Sequence, residues 1–217
     1  MPSKYLVRNF KENAFYHVFN RGVEKRKIFL DSKDFKIFIY YLFVYLKPLD
    51  NVLKKYPLLP IRLHPKNLSS EIELISYSLM PNHFHFLLRQ FSKNGISRLM
   101  KQVTNAYTEY FNKRYERTGG LMQGTFKAVR VLTDEQLIHL SRYIHLNPVV
   151  GGVVDSIDDY NWSSYKDFVM GDPKGLCNIS IILDLFKSSD EYKNFVKDQI
   201  NYTLGTEKIG NVTIDDD

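Results

Sequence analysis

Apolar residues recur along this chain with two different periods, and the switches between them mark out its elements. Ala14–Asn20 (AFYHVFN) is a nearly unbroken run of aromatic and β-branched residues and predicts a strand, which Arg21-Gly22 closes. Asp31-Ser32 predicts a helix cap before the apolar stretch Phe35–Leu46. Residues 47–70 hold four prolines and little periodicity, so they read as an insertion or long loop with room for a short helix. Ile72–Leu79 and His83–Phe91 predict two strands joined by Met80-Pro81-Asn82 as a hairpin. Ile96, Leu99, Val103, Tyr107 and Tyr110 fall at helical spacing and predict a helix over 95–117, ended by Gly119-Gly120. Thr125–Leu132 predicts a further strand. Thr133 or Asp134 then caps a helix to about Asn147, where Pro148 is expected to stop it.

That order (strand, helix, hairpin, helix, strand, helix) predicts an α/β (α+β) fold. The expected architecture is a two-layer sandwich, a ferredoxin-like antiparallel sheet with helices on one face. The pattern weakens beyond Gly152. Asp155–Tyr165 is polar and turn-rich, 179–186 and 192–200 predict short helices, and the chain is expected to fray after Gly205. The division expected is a catalytic unit over 1–154 and an acidic, partly helical extension over 155–217.

Charge follows the same division. Residues 1–154 carry a formal net charge of +13 and residues 155–217 one of −7, so the first part suits a polyanionic partner. A composition 44% hydrophobic supports a packed core. Cys177 is the only cysteine, which excludes an internal disulfide and a cysteine-based zinc site. The N-terminal residues lack the apolar core of a signal peptide, and the apolar run 37–46 is too short to span a bilayer. The expectation is a cytoplasmic protein with no membrane partner.

Two motifs carry chemistry. His83 and His85 stand one residue apart on a strand, so both imidazoles point to one face and can converge on a divalent ion. Satisfied structural histidines would show the same spacing. The apolar neighbours Phe84, Phe86, Leu87 and Leu88 sharpen the choice, because buried imidazoles need partners. On the helix from 134, Tyr143 lies roughly opposite the apolar residues Leu137, Ile138, Ile144 and Pro148. Gln136, His139 and Asn147 lie within about a 40° step of it. Tyr143 thus shares a strip with an amide able to ligate a metal, with His139 and Gln136 as accessory candidates. An exposed amphipathic helix with an ordinary surface tyrosine would look similar. Tyr107 and Tyr110 sit on an apolar stripe that packing explains, and Tyr115 lies among basic residues at a helix end.

The runs YHVFNRG (16–22), YSLMPNHFHFLL (77–88), GGLMQGTFKAVRV (119–131) and YIHLNPV (143–149) together resemble the single-tyrosine HUH transposases, which move single-stranded DNA. The nearer likeness is to the REP-associated tyrosine transposases. The resemblance spans about residues 14–165 and implies an HUH endonuclease fold. It implies His83, His85 and Asn147 as ligands of Mg²⁺ or Mn²⁺, Tyr143 as the attacking nucleophile, and a 5′-phosphotyrosine intermediate at hairpin-associated sites in single-stranded DNA. The basic residues Arg21, Lys25, Arg26, Arg98, Lys101, Lys113, Arg114, Arg117, Lys127 and Arg130 are the candidates for DNA contact, with Phe111, Tyr115 and Trp162 as candidates for stacking on bases. The rival readings are a non-cleaving regulatory protein on the same fold and a metal hydrolase in which the histidines activate water. Monomer or homodimer, and a tyrosine acting in cis or in trans, are both open on the sequence.

Overall fold

The structure, a computed structural model, describes residues 9–171 and 175–207, with side chains as far as residue 198. The elements are β1 (Ala14–Arg21), α1 (Ser32–Leu46), α2 (Leu49–Lys55), β2 (Ile72–Met80), β3 (His83–Gln90), α3 (Gly95–Arg114), β4 (Lys127–Val131), α4 (Asp134–Val150), α5 (Tyr165–Met170), α6 (Ser180–Leu183) and α7 (Ser189–Glu207). The strands form one antiparallel sheet in the order β2-β3-β1-β4. The ferredoxin-like α/β expectation is met. The expected long loop at 47–70 holds α2 and a 3₁₀ segment, Ile61–Lys66. The fraying expected after Gly205 concerns residues mostly outside those described, since α7 continues to Glu207.

The alternation along β3 decides which face does what. Phe84 and Phe86 are fully buried and meet Phe38 of α1 at 5.4 and 6.2 Å between ring centres. Tyr107 of α3 completes the cluster, edge-on to Phe38, with its hydroxyl donating to the carbonyl of Ile28. A buried phenylalanine in such a cluster costs about 3–5 kcal/mol to truncate. Asp31 caps α1 as expected, accepting from the backbone of Lys33 and Asp34. Buried Asp34 then ties α1 to α3, accepting from Tyr110, Tyr115 and Arg114 at 2.7–3.0 Å.

Two expectations need correction. Helices do not lie on one face alone: α1 and α3 cover the Phe84/Phe86 face, while α4 packs across β2 and β3 on the other. Burial on both sides of β2 is the reason, and Ser76 and Ser78 there are small enough for a helix to approach. Nor does Pro148 stop α4, which runs on to Val150. The bond a proline cannot donate falls in the last turn, and the end is tied off by Gly151 N–H to Asn147 O and Val153 N–H to Pro148 O.

The C-terminal helices close over α4. His145 is fully buried between Tyr192 (Nδ1 to Oη, 2.7 Å) and Ser164 (Nε2 to Oγ, 2.8 Å), and Tyr192 donates to Ser141. Burial depresses His145 from 6.5 to about 3. Between those values the unfolded chain binds a proton that the folded chain refuses. Stability therefore falls as pH drops below about 6.5, by up to about 1.4 kcal/mol per pH unit from this group. Denaturant unfolding at pH 7.5 and 5.0 should show His145→Gln losing roughly 2 kcal/mol less than the wild type over that interval. Equal losses would assign the pH dependence to other groups.

Candidate active site

Strand register builds one side of the site. Residues paired directly across an antiparallel sheet point to the same face. Arg21 pairs with His83, Phe19 with His85 and with Lys127, and His17 with Leu87 and Val129. His17, Phe19, Arg21, His83, His85 and Lys127 therefore share the face that α4 partly covers. Gly22 turns the chain at the end of β1, where a Cβ would lie 2.2 Å from the carbonyl oxygen of Arg26.

Helix α4 builds the other side. Asn147, almost fully buried, brings Oδ1 to 3.1 Å from His83 Nε2. Tyr143, one turn earlier and half-buried, sets its ring edge-on to His85 at 5.6 Å and to His17 at 6.0 Å. The strip carrying Tyr143 and Asn147 thus faces the sheet. It is not a solvent face, because the opposite side of α4 packs on the C-terminal helices. His83, His85, Tyr143 and Asn147 all come together within one chain.

Each imidazole is also held from behind. His83 Nδ1 lies 2.7 Å from Asn82 Oδ1, whose own amide NH₂ donates to the carbonyl of Lys25. His85 Nδ1 lies 2.9 Å from Nε2 of His17. Burial holds His17 down to about 3, and burial with the neighbouring His17 and His83 pushes His85 well below its ordinary value.

Whether these residues suit a divalent ion can be tested on His83. A neutral imidazole has one N–H, yet oxygens stand at both its nitrogens. With Nδ1–H given to Asn82, Nε2 and Asn147 Oδ1 face each other as two lone-pair donors. A cation between them resolves that opposition, as does an Asn147 amide turned to donate to Nε2, and the 3.1 Å separation suits adjacent ligands of an octahedral ion with bonds of about 2.1 Å, which lie about 3 Å apart. Among the described residues no group of three His, Cys, Asp or Glu side chains is placed to hold an ion. A third ligand beside the two imidazoles would be the Asn147 amide, and such a set suits Mn²⁺ at least as well as Mg²⁺.

The accessory candidates lie elsewhere. Gln136 accepts from the Leu132 backbone through Oε1 and serves the start of α4. His139 accepts from Arg142 at 2.7 Å and packs on Phe195 of α7. The basic candidates divide. Arg98 pairs with Glu71, Arg114 with Asp31 and Asp34, and Arg117 with Asn112 and the Gly120 carbonyl. Arg26 stands near Glu24, 3.9 Å away. Lys25, Lys101, Lys113 and Arg130 are exposed, with Arg130 on the face opposite the histidines. Arg21 donates to Gln123, and Lys127 lies 5.9 Å from the centre of the Phe19 ring. Of the stacking candidates, Phe111 is buried, Tyr115 donates to Asp34, and Trp162 stacks on Phe35 at 4.6 Å.

Sequence reasoning missed His17 and Asn82. His17 had a signal: it is a lone imidazole in the apolar strand AFYHVFN, where a buried polar ring demands a partner.

Comparison with known proteins adds a likeness of fold and a partial likeness of sequence. No curated protein matches the chain. A solved REP-associated tyrosine transposase bound to a REP hairpin has a TM-score of 0.56 at 14% identity, over 79% of this chain and 88% of that one, a likeness of fold. A Deinococcus radiodurans protein (TM-score 0.36, 13% identity, 66% of this chain and 95% of that one) is too loosely similar to carry weight. So is the Saccharomyces cerevisiae tRNA(His) guanylyltransferase (TM-score 0.38, 10% identity, 92% and 82%). Residues 62–147, from the proline-rich segment through β2, β3 and α3 to Asn147, match the family described as "Transposase IS200 like". Over those residues, 86 of the 217, the chain is similar to that family.

Proposed function

We propose that this chain is a transposase-like, metal-dependent single-stranded DNA endonuclease and strand transferase acting at hairpin-associated sites through a 5′-phosphotyrosine. The observation that carries the reading is the meeting of α4 with β3: the Asn147 amide against His83, and the Tyr143 ring against His85. His83, His85 and Asn147 would hold the ion. When bound, Mg²⁺ or Mn²⁺ would neutralise charge on the scissile phosphate as a Lewis acid.

Tyr143 supplies the nucleophile. Its phenol oxygen gives up a proton and bonds to phosphorus, and the bond from phosphorus to the 3′ oxygen breaks. The departing oxygen takes up a proton as a 3′-hydroxyl, and the 5′ side remains on the tyrosine. The phosphodiester energy stays in the covalent bond, so reversal onto another 3′-hydroxyl joins strands without ATP.

Arg21 and Lys127 share the sheet face of the histidines, which suits them to the backbone near the scissile phosphate. Lys25, exposed beside Asn82, suits a flanking phosphate, whereas Lys101 and Lys113 belong to α3 on the other face of the sheet. The protein that shares this fold holds a REP hairpin, and a hairpin with a single-stranded flank is the substrate proposed here.

Incubation of labelled hairpin DNA with the protein and Mn²⁺, followed by a denaturing gel, tests the reading. A covalent protein–DNA band is expected. Free cleaved strand with no such band would favour water activated by the histidines, and binding without cleavage a regulatory protein.

A further inference from the structure

We propose that His17 is a positioning residue for His85: His85 donates its Nδ1–H to His17 Nε2, which holds the ring so that Nε2 of His85 is the ligating nitrogen. The inference rests on the reading of His85 as a metal ligand. It goes beyond that reading by assigning a role to a residue outside the ligand set.

Two neutral imidazoles with ring nitrogens 2.9 Å apart share one proton between them, and only two arrangements exist. If His17 donates, the proton of His85 sits on Nε2 and blocks ligation through that atom. If His85 donates, the lone pair lies on Nε2, in a ring whose neighbours include His83 and Tyr143, 4.9 and 5.6 Å away between ring centres. Asn82 makes the same choice for His83, because its amide oxygen accepts from Nδ1–H and leaves Nε2 toward Asn147. The two histidines of the motif are thus backed in the same sense. One backing group is an amide from the hairpin, the other an imidazole from the neighbouring strand. Histidine ligands commonly give their second N–H to an orienting acceptor of this kind.

The surroundings of His17 suit that task. It lies on β1, between β3 and β4, and is 5% exposed. Its ring stacks on Phe19 at 4.8 Å and meets the edge of Tyr143. Such packing fixes the acceptor in place. An apolar side chain would fill this position in a central strand at no polar cost, whereas an imidazole there needs a hydrogen-bond partner. A neutral ring also orients without adding negative charge next to a site meant to receive a phosphodiester, which an aspartate would not do.

The experiment has two independent readouts. In protein labelled with ¹⁵N-histidine and free of metal, long-range ¹H–¹⁵N spectra report the tautomer of each ring. His85 is expected as the Nδ1–H form in the wild type, and as a mixture or the Nε2–H form in His17→Phe. Calorimetric titration with Mn²⁺ should show His17→Phe binding about 10–100-fold more weakly. His17→Gln, which returns an acceptor oxygen, should recover most of that loss, with melting curves establishing that both variants fold. An Nε2–H tautomer of His85 in the wild type would overturn the proposal, as would unchanged tautomer and Mn²⁺ affinity in a folded His17→Phe. A wild type that binds no Mn²⁺ would remove the metal reading instead, and the tautomer spectra would still decide the role of His17.

Discussion

Tyr143→Phe should abolish the covalent protein–DNA adduct, a loss of at least about 10⁴-fold, while hairpin binding stays within a few-fold of wild type. Only the oxygen proposed as the nucleophile is removed, and the ring still fits edge-on against His85 and His17. The other tyrosines are committed elsewhere. Tyr107 is fully buried, its hydroxyl donates to the Ile28 carbonyl, and burial drives its ionisation far upward. Tyr110 and Tyr115 donate to Asp34, and Tyr192 to Ser141. Tyr107→Phe should therefore keep the adduct. A denaturing gel of both variants with labelled hairpin DNA decides, and an adduct that survives in Tyr143→Phe but not in Tyr107→Phe would give the chemistry to α3.

What the sequence made legible was local. The Asp31 cap, the β2–β3 hairpin and the alternation that separates His83 and His85 from Phe84 and Phe86 all depend on residues within a few positions of one another. What it concealed depends on distant pairing. Nothing local to β2 shows that Ser76 and Ser78 are buried, and only the packing of α4 explains it. The net charge of the first 154 residues is visible in the sequence. That Arg98 is taken by Glu71 and Arg114 by Asp31 and Asp34 is not, because those partners lie 27, 83 and 80 residues away. His17 and His85 are 68 residues apart and become neighbours only through the β1–β3 register. That His83 shares a face with His85, and Tyr143 with Asn147, was legible because strand and helix periodicities fix which side chains lie together, leaving one inter-element contact to be supplied by the fold.

Removing either histidine of the motif is expected to be nearly as damaging as removing the tyrosine. His83→Ala takes away the ring that faces Asn147 Oδ1, and His85→Ala the ring beneath Tyr143. Each should lower metal-dependent cleavage at least about 10²-fold, beyond the 10–100-fold typical of losing an orienting group. Asn147→Ala should be milder, because water can take the place of one neutral amide donor on an ion that readily keeps water ligands. Excess chelator should silence the wild type, with activity returning on addition of Mn²⁺. Cleavage rates for the three variants across a Mn²⁺ titration separate weakened binding from lost chemistry: raising Mn²⁺ should rescue Asn147→Ala most and His83→Ala and His85→Ala least. Full cleavage by the wild type in excess chelator would remove the ion from the reaction and leave the two imidazoles to act on the phosphate as hydrogen-bond donors. In that case Asn147→Ala should be as active as the wild type.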